Sequence, residues 1–270
     1  MNSFFKVRQK RYGLLSLLSL GFIFIAWCVL TYSTSSHPAF VTSLKLPSPL
    51  DVLHSALSTG PKLLEYSFTT FGRVIAGLLI GVVFGIGTGL LLSASKILDS
   101  LLTPLIEAIR PCPVIALTPW VILWLGLGTA PQIFMVSLGS FLVMTISTYS
   151  QASGVESRYI QAAQSLGADS LMIRIAIIFP EILPALSGAI RVSSATCFGI
   201  AVAAEYLGAE GGLGFLIRNA RSTLNTDTIL LGIIILGLES YLLDKIIQAW
   251  GKSISRWRDS HLNFDDTTNY

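Results

Sequence analysis

Four long stretches without a charged side chain constrain this chain more than any other feature. No Asp, Glu, Lys or Arg occurs from Tyr12 to Ser36, from Val74 to Ser95, from Pro111 to Ser150 or from Val192 to Ala204. An α-helix rises 1.5 Å per residue, so about 20 such residues cross the ~30 Å hydrocarbon layer of a bilayer. With 52% hydrophobic and 12% charged residues, the chain carries about half the charge of a soluble domain. It has too little polar surface to cover itself in water, and an all-α membrane protein is expected.

Its topology follows from where the charges fall. Lys6, Arg8, Lys10 and Arg11 precede the apolar run 13–32. That run is too long for a signal-peptide core and lacks a small-x-small cleavage site, so it reads as span one, leaving the cytoplasm. An amphipathic stretch at 51–64 lies against the membrane surface. Span two covers 67–95, with Gly77, Gly81, Gly85 and Gly89 at four-residue intervals, a face bare of side chains that lets another helix approach closely. Pro111, Pro113 and Pro119 break the third span, which ends near Gly128. Span four covers 132–149. Between 150 and 184 the charges Glu156, Arg158, Asp169, Arg174 and Glu181 return, and two short cytoplasmic helices are expected. Span five then covers 185–207 and span six 227–250, separated by a glycine-rich outer segment. The organisation is a cytoplasmic tail 1–12, a membrane domain 13–250 of about six helices with a cytoplasmic loop at 151–184, and a cytoplasmic tail 251–270.

Several function classes lose support. The net charge of +3 comes with no basic block interleaved with aromatics, so nucleic-acid binding is not indicated. Cys28, Cys112 and Cys197 are dispersed in apolar surroundings and read as small core residues, while His37, His54 and His261 are isolated; neither set has metal-ligand spacing. Gly251-Lys252-Ser253 ends like a phosphate-binding loop, but Ile246 stands where its first glycine belongs. Ser153 would need a histidine partner to act as a membrane-embedded nucleophile, and no span contains one. The chain carries no cofactor or catalytic residue of its own by this reading.

The loop holds the functional signal. It reads Gln161-Ala162-Ala163, three residues, Gly167, nine residues, then Ile177-Ile178-Phe179-Pro180. Two alanines permit close packing and Gly167 permits a left-handed turn, so a helix–turn–helix knob is expected. This stretch resembles the E-A-A, x3, G, x9, I-x-L-P signature of binding-protein-dependent ABC importer permeases, with Gln161 in place of Glu and Phe179 in place of Leu. The resemblance extends along the chain through Leu46-Pro47-Ser48-Pro49, Arg73-Val74, Arg110-Pro111, Trp124-Leu125-Gly126-Leu127-Gly128, Ala203-Ala204-Glu205 and Gly212-Leu213-Gly214. These segments look like the taurine, alkanesulfonate and nitrate branch.

What the resemblance implies is a fold like that of the type I ABC importer permeases, in a bacterial inner membrane. Gln161, Ala162, Ala163, Gly167, Ala168, Ile177 and Pro180 would form a coupling helix docked on an ATPase. Two ATPase subunits would hold the ATP and Mg, an external binding protein would deliver a small anionic solute, and a second copy of the chain would complete the pathway. Glu205, Arg73 and Arg110 are candidate pathway residues. For Glu205 the competing reading is an ion pair that fixes the nearby glycine-rich segment, and for the arginines interfacial anchoring. An ion-coupled carrier or channel is the rival class, and would have to use Glu205, Arg191 or Glu239.

Overall fold

Packing begins with the glycines of the second apolar run. In the computed structural model, which describes residues 18–19, 21–31 and 45–265 and their side chains as far as 254, that run lies in helix α3, Pro61–Ala94. Gly77, Gly81, Gly85 and Gly89 face Val136, Ser140, Met144 and Thr148 in turn, all on helix α6, Thr129–Ser153. A Cβ added at any of the four would lie 2.5–2.6 Å from the facing Cβ. Both sets of numbers rise together in steps of four, so the two helices run parallel, in contact at every turn. Ser140 fits the same seam by donating to the Leu78 carbonyl at 3.4 Å and accepting from Ser193 at 3.1 Å.

Helix is the only regular structure among the described residues. Helix α1 is Gly21–Thr31 and α2 is Pro49–Thr59. Helix α4, Lys96–Ile109, is followed by a 3-10 turn, Val114–Leu117, and by α5, Thr118–Leu125. Next come α7, Ser157–Ser165, and α8, Ser170–Ile173. Helix α9 is Phe179–Gly208, α10 is Leu213–Ser222 and α11 is Thr226–Asp265. Among the described residues, Pro61–Ala94, Thr129–Ser153 and Ser170–Gly208 are long and apolar enough to cross a membrane, and the bent pair Lys96–Ile109 with Val114–Leu125 makes up to four.

The chain divides into two compact units. The first comprises Met1–Leu64 with Leu216–Ile234. In it Ser48 caps α2, accepting from the Asp51 amide at 3.2 Å while the Asp51 carboxylate accepts from the Ser48 amide at 3.0 Å, a reciprocal box that satisfies two otherwise orphaned donors. The hydrogen bonds from Ser48, first its hydroxyl and then its amide, hold the Asp51 carboxyl below its ordinary range. Trp27 donates to the Pro47 carbonyl at 2.9 Å, tying α1 to the start of this turn. The second unit, Glu65–Phe215 with Ile235–Tyr270, holds the main core: Val74 and Leu78 of α3, Val136 and Met144 of α6, Leu186, Phe198 and Ala201 of α9, and Leu243 and Ile247 of α11.

Several details differ from expectation. The third apolar run is broken at its prolines, as its sequence predicts, and the two halves meet at 86°. The second short helix of the 150–184 segment is not separate from the run that follows. A π-helical turn, Arg174–Ile178, joins α8 to α9 without a gap. Pro180 has no amide to offer Ala176, and the wider turn just before it absorbs the mismatch, as π-bulges do. Helix α11 likewise runs past Trp250 to Asp265, since no proline stops it. Cys197 is buried, but Cys112, in the proline break, is exposed rather than a core residue. The expected tail 1–12 and the polar segment 33–37 lie outside the described residues.

Candidate functional site

Two constellations occupy opposite ends of the same helices in the larger unit. At the C-terminal end of α6, the chain leaves through Gly154 into α7, turns at Gly167 and re-enters α8. Gly167 has φ +84°, a left-handed conformation that costs a side-chain-bearing residue energy. The Ala168 amide donates to the Ala163 carbonyl at 3.0 Å and the Gly167 amide to Gln164 at 3.0 Å, closing the end of α7. Asp169 then caps α8 by accepting from the Met172 amide at 2.8 Å. The helix–turn–helix drawn from sequence is therefore present in shape.

Its surface is unusual. Ala163 packs inward, whereas Gln161, Ala162 and Gly167 are exposed and Ala168, Ile177 and Pro180 half-buried. Leu166, at the tip of the turn, is 89% exposed, and Tyr159, Leu171, Met172 and Ile175 are exposed beside it in sequence. Arg158 pairs with Glu156 at the base of α7. This is a charged, turn-containing segment with large apolar side chains uncovered, a composition that fits a protein partner better than solvent.

At the other end of the bundle, Glu205 of α9 is fully buried and tied to two other helices, α3 and α10. It accepts from Arg73 Nη1 at 2.8 Å, from the Thr70 hydroxyl at 2.9 Å and from the Gly214 amide at 2.9 Å. Thr70 in turn accepts from the Leu213 amide at 2.8 Å, so Glu205 and Thr70 together satisfy the first amides of α10, where a negative charge is also favoured by the helix dipole. Arg73 bonds the Gly211 carbonyl at 2.7 Å and reaches Thr129 of α6 at 3.3 Å. A Cβ at Gly212 would sit 2.5 Å from Glu205 Oε1, and Gly212 has φ +106°, so this loop position needs glycine twice over.

Arg73 and Glu205 are thus brought together and Arg110 is not: it lies exposed at the end of α4. Arg73 is 6% exposed and paired inside the protein, a placement unlike that of a lipid-edge anchor. Thr70, Thr129 and Gln132 were not legible as members of this end of the bundle. Only once Val136 is seen facing Gly77 does the four-residue register, extended one step back, place Arg73 opposite Gln132. The other two intramembrane candidates also have partners, Arg191 with Asp244 at 2.7 and 3.0 Å and Glu239 with Ser67. Among the described residues no group of three or more His, Cys, Asp or Glu side chains is arranged to hold a metal ion.

The comparison with known families decides the class. The family model of the binding-protein-dependent transport system inner membrane component matches residues 68–257. The chain belongs to this family. It is accordingly an ABC-transporter permease subunit, a transport component rather than an enzyme. A probable ABC transporter permease protein of Brucella abortus (strain 2308) is 29% identical over 247 residues, covering 91% of this chain and 96% of that one. The taurine transport system permease protein TauC of Escherichia coli (strain K12) is 30% identical over 224 residues, covering 80% and 82%. The putative aliphatic sulfonates transport permease protein SsuC of Bacillus subtilis (strain 168) is 28% identical over 259 residues, covering 95% and 92%. Among solved structures, an inward-facing MetNI methionine ABC transporter chain superposes with a TM-score of 0.61 at 21% identity, covering 72% of this chain and 98% of that one, which relates the fold to the ABC importer permeases.

Proposed function

We infer that this permease forms, as a pair of identical copies, the membrane pathway of an ATP-driven importer for a small organic or inorganic anion of the sulfonate, nitrate or bicarbonate type. Six spans carry the pathway, with both termini in the cytoplasm. The observation that carries the reading is the Gln161–Pro180 segment. Its left-handed turn at Gly167 and its uncovered Leu166, Tyr159, Leu171 and Met172 offer a compact apolar knob on a family member that needs an ATPase to work. Two ATPase subunits dock there, ATP-driven closure moves the knobs together, and the pathway alternates between its two faces while an external binding protein delivers the solute.

The anionic solute class rests on relatives named for taurine and aliphatic sulfonates. In this mechanism Arg73 and Glu205 neutralise one another, so a positive bias towards anions comes from Arg110. Glu205 and Arg73 serve that end, with Arg110 nearer the proline break.

The test is purification of the tagged chain in mild detergent from its own host, with identification of what accompanies it, followed by uptake of labelled taurine and of an alkanesulfonate in vesicles. A co-purifying ATPase and uptake that requires ATP support the reading. A lone oligomer that transports on an ion gradient would replace it with an ion-coupled carrier.

A further inference from the structure

The α3–α6 seam changes character at its N-terminal end. From Gly77 to Gly89 it is a tight contact of glycine against Val136, Ser140, Met144 and Thr148. One step further back, the same register sets Arg73 against Gln132, and the Arg73 contact with Thr129, one helical turn before Gln132, agrees with that placement. Gln132 is 1% exposed and Arg73 6%. Three of their polar atoms, Arg73 Nε, Gln132 Nε2 and Gln132 Oε1, are buried with no hydrogen-bond partner in the protein. Both Nη atoms of the arginine are engaged, Nη1 with Glu205 and Gly211 and Nη2 with Thr129.

Two donors and one acceptor left without protein partners at one level of a helix seam define the chemistry of a guest. It must accept from a guanidinium N–H and from an amide N–H, and it must also donate to an amide oxygen. The guanidinium charge is already matched by Glu205, so nothing at this level calls for an anion. Water does both, and buried waters characteristically make about three hydrogen bonds to groups of this kind. We propose that Arg73 Nε and the Gln132 side chain form an internal hydration site that seals the N-terminal end of the α3–α6 seam with bound water. The seam is then dry and held by close packing along its glycines, and polar and exchangeable at Gln132. Gln132 acts through this water to fix the Arg73 guanidinium plane, and so the carboxylate it holds; it is a positioning residue for the Glu205 cluster.

The sign of one substitution separates a hydrated site from a dry one. Methionine is close to glutamine in size and shape and carries no hydrogen-bonding amide. In a dry seam Gln132→Met would remove two uncompensated buried polar groups and raise the melting temperature of the purified permease complex. In a hydrated seam it removes the anchor of the water and strands Arg73 Nε, so the melting temperature falls by several degrees. Cryo-electron microscopy of the wild-type complex, at a resolution that shows ordered water, reads the same site without a substitution and stands even if the variant does not assemble. Density within hydrogen-bonding distance of both Arg73 Nε and the Gln132 amide is the expected result. A direct Arg73–Gln132 hydrogen bond with no intervening density, or a Gln132→Met complex at least as stable as wild type, would overturn the proposal.

Discussion

Replacing Gly81 by alanine tests the seam that organises the larger unit. The added methyl carbon would lie 2.5 Å from Ser140 Cβ, 2.6 Å from the Ser137 carbonyl oxygen and 2.8 Å from the Phe141 amide nitrogen. Carbon atoms in ordinary contact are about 3.5–4.0 Å apart, so α3 and α6 must move apart by roughly 1 Å. Two of the three obstacles are backbone, and no rotamer change relieves them. Overpacking of this kind costs about 1–3 kcal/mol, against which alanine returns up to about 1 kcal/mol of helix propensity. A net loss of about 1–2 kcal/mol lowers the melting temperature by roughly 2–8 °C for a chain of this size. Gly87 is the internal control: it sits on the same helix with nothing within 4 Å of its would-be Cβ. Gly87→Ala should leave the melting temperature unchanged or slightly raised. Thermal unfolding of the two purified variants in the same detergent is the assay. Equal stability of Gly81→Ala and Gly87→Ala would refute the parallel, glycine-mediated packing of α3 on α6.

The buried ion pair gives a second prediction: Glu205→Gln leaves Arg73 charged and unmatched and should cost about 3–5 kcal/mol, whereas Arg73→Met with Glu205→Leu together should cost less than either single change, as a double-mutant melting cycle would show. Gly167→Asp should abolish ATP-driven uptake while capture of solute by the binding protein, measured by calorimetry, stays intact. Ser48→Ala should loosen the start of α2 by about 1 kcal/mol. Because Asp51 is held below its ordinary range in the folded chain, its contribution is present above the carboxylate range and is lost as pH falls through its lowered value. Protection of the first α2 amides, as the hydrogen-exchange rate relative to an unstructured peptide at the same pH, should therefore fall on acidification in wild type and depend less on pH in Ser48→Ala.

Much of this arrangement is readable from spacing because lipid restricts what a chain can do. A backbone that must satisfy itself in hydrocarbon becomes helix, so the apolar runs and the proline break between Arg110 and Pro113 are legible directly. The four glycines announced a close approach, though not the helix that makes it; that required Val136, Ser140, Met144 and Thr148 to be seen facing them. Gly167 and its neighbours gave the turn, since few residues other than glycine accept a φ of +84°. The junction at Arg174–Ile178 was not legible, because charged residues there suggested an ending while the backbone adapted with a π turn instead. Glu205 was visible as a costly intramembrane carboxylate, but its side-chain partners, Arg73 and Thr70, lie 132 and 135 residues away, and no local pattern encodes them. Thr129 and Gln132 carried no sequence signal of their own.

Cross-linking from the tip of the Gly167 turn tests the coupling claim most directly. With Cys28, Cys112 and Cys197 replaced, Leu166→Cys carries the sole thiol of the permease, on a side chain 89% exposed in the subunit. A short bifunctional reagent applied to the assembled complex should join position 166 to the ATPase subunit, in a yield that changes between nucleotide-free and ATP-bound states. An intact complex in which that thiol labels freely and never joins the ATPase, in either state, would contradict the account.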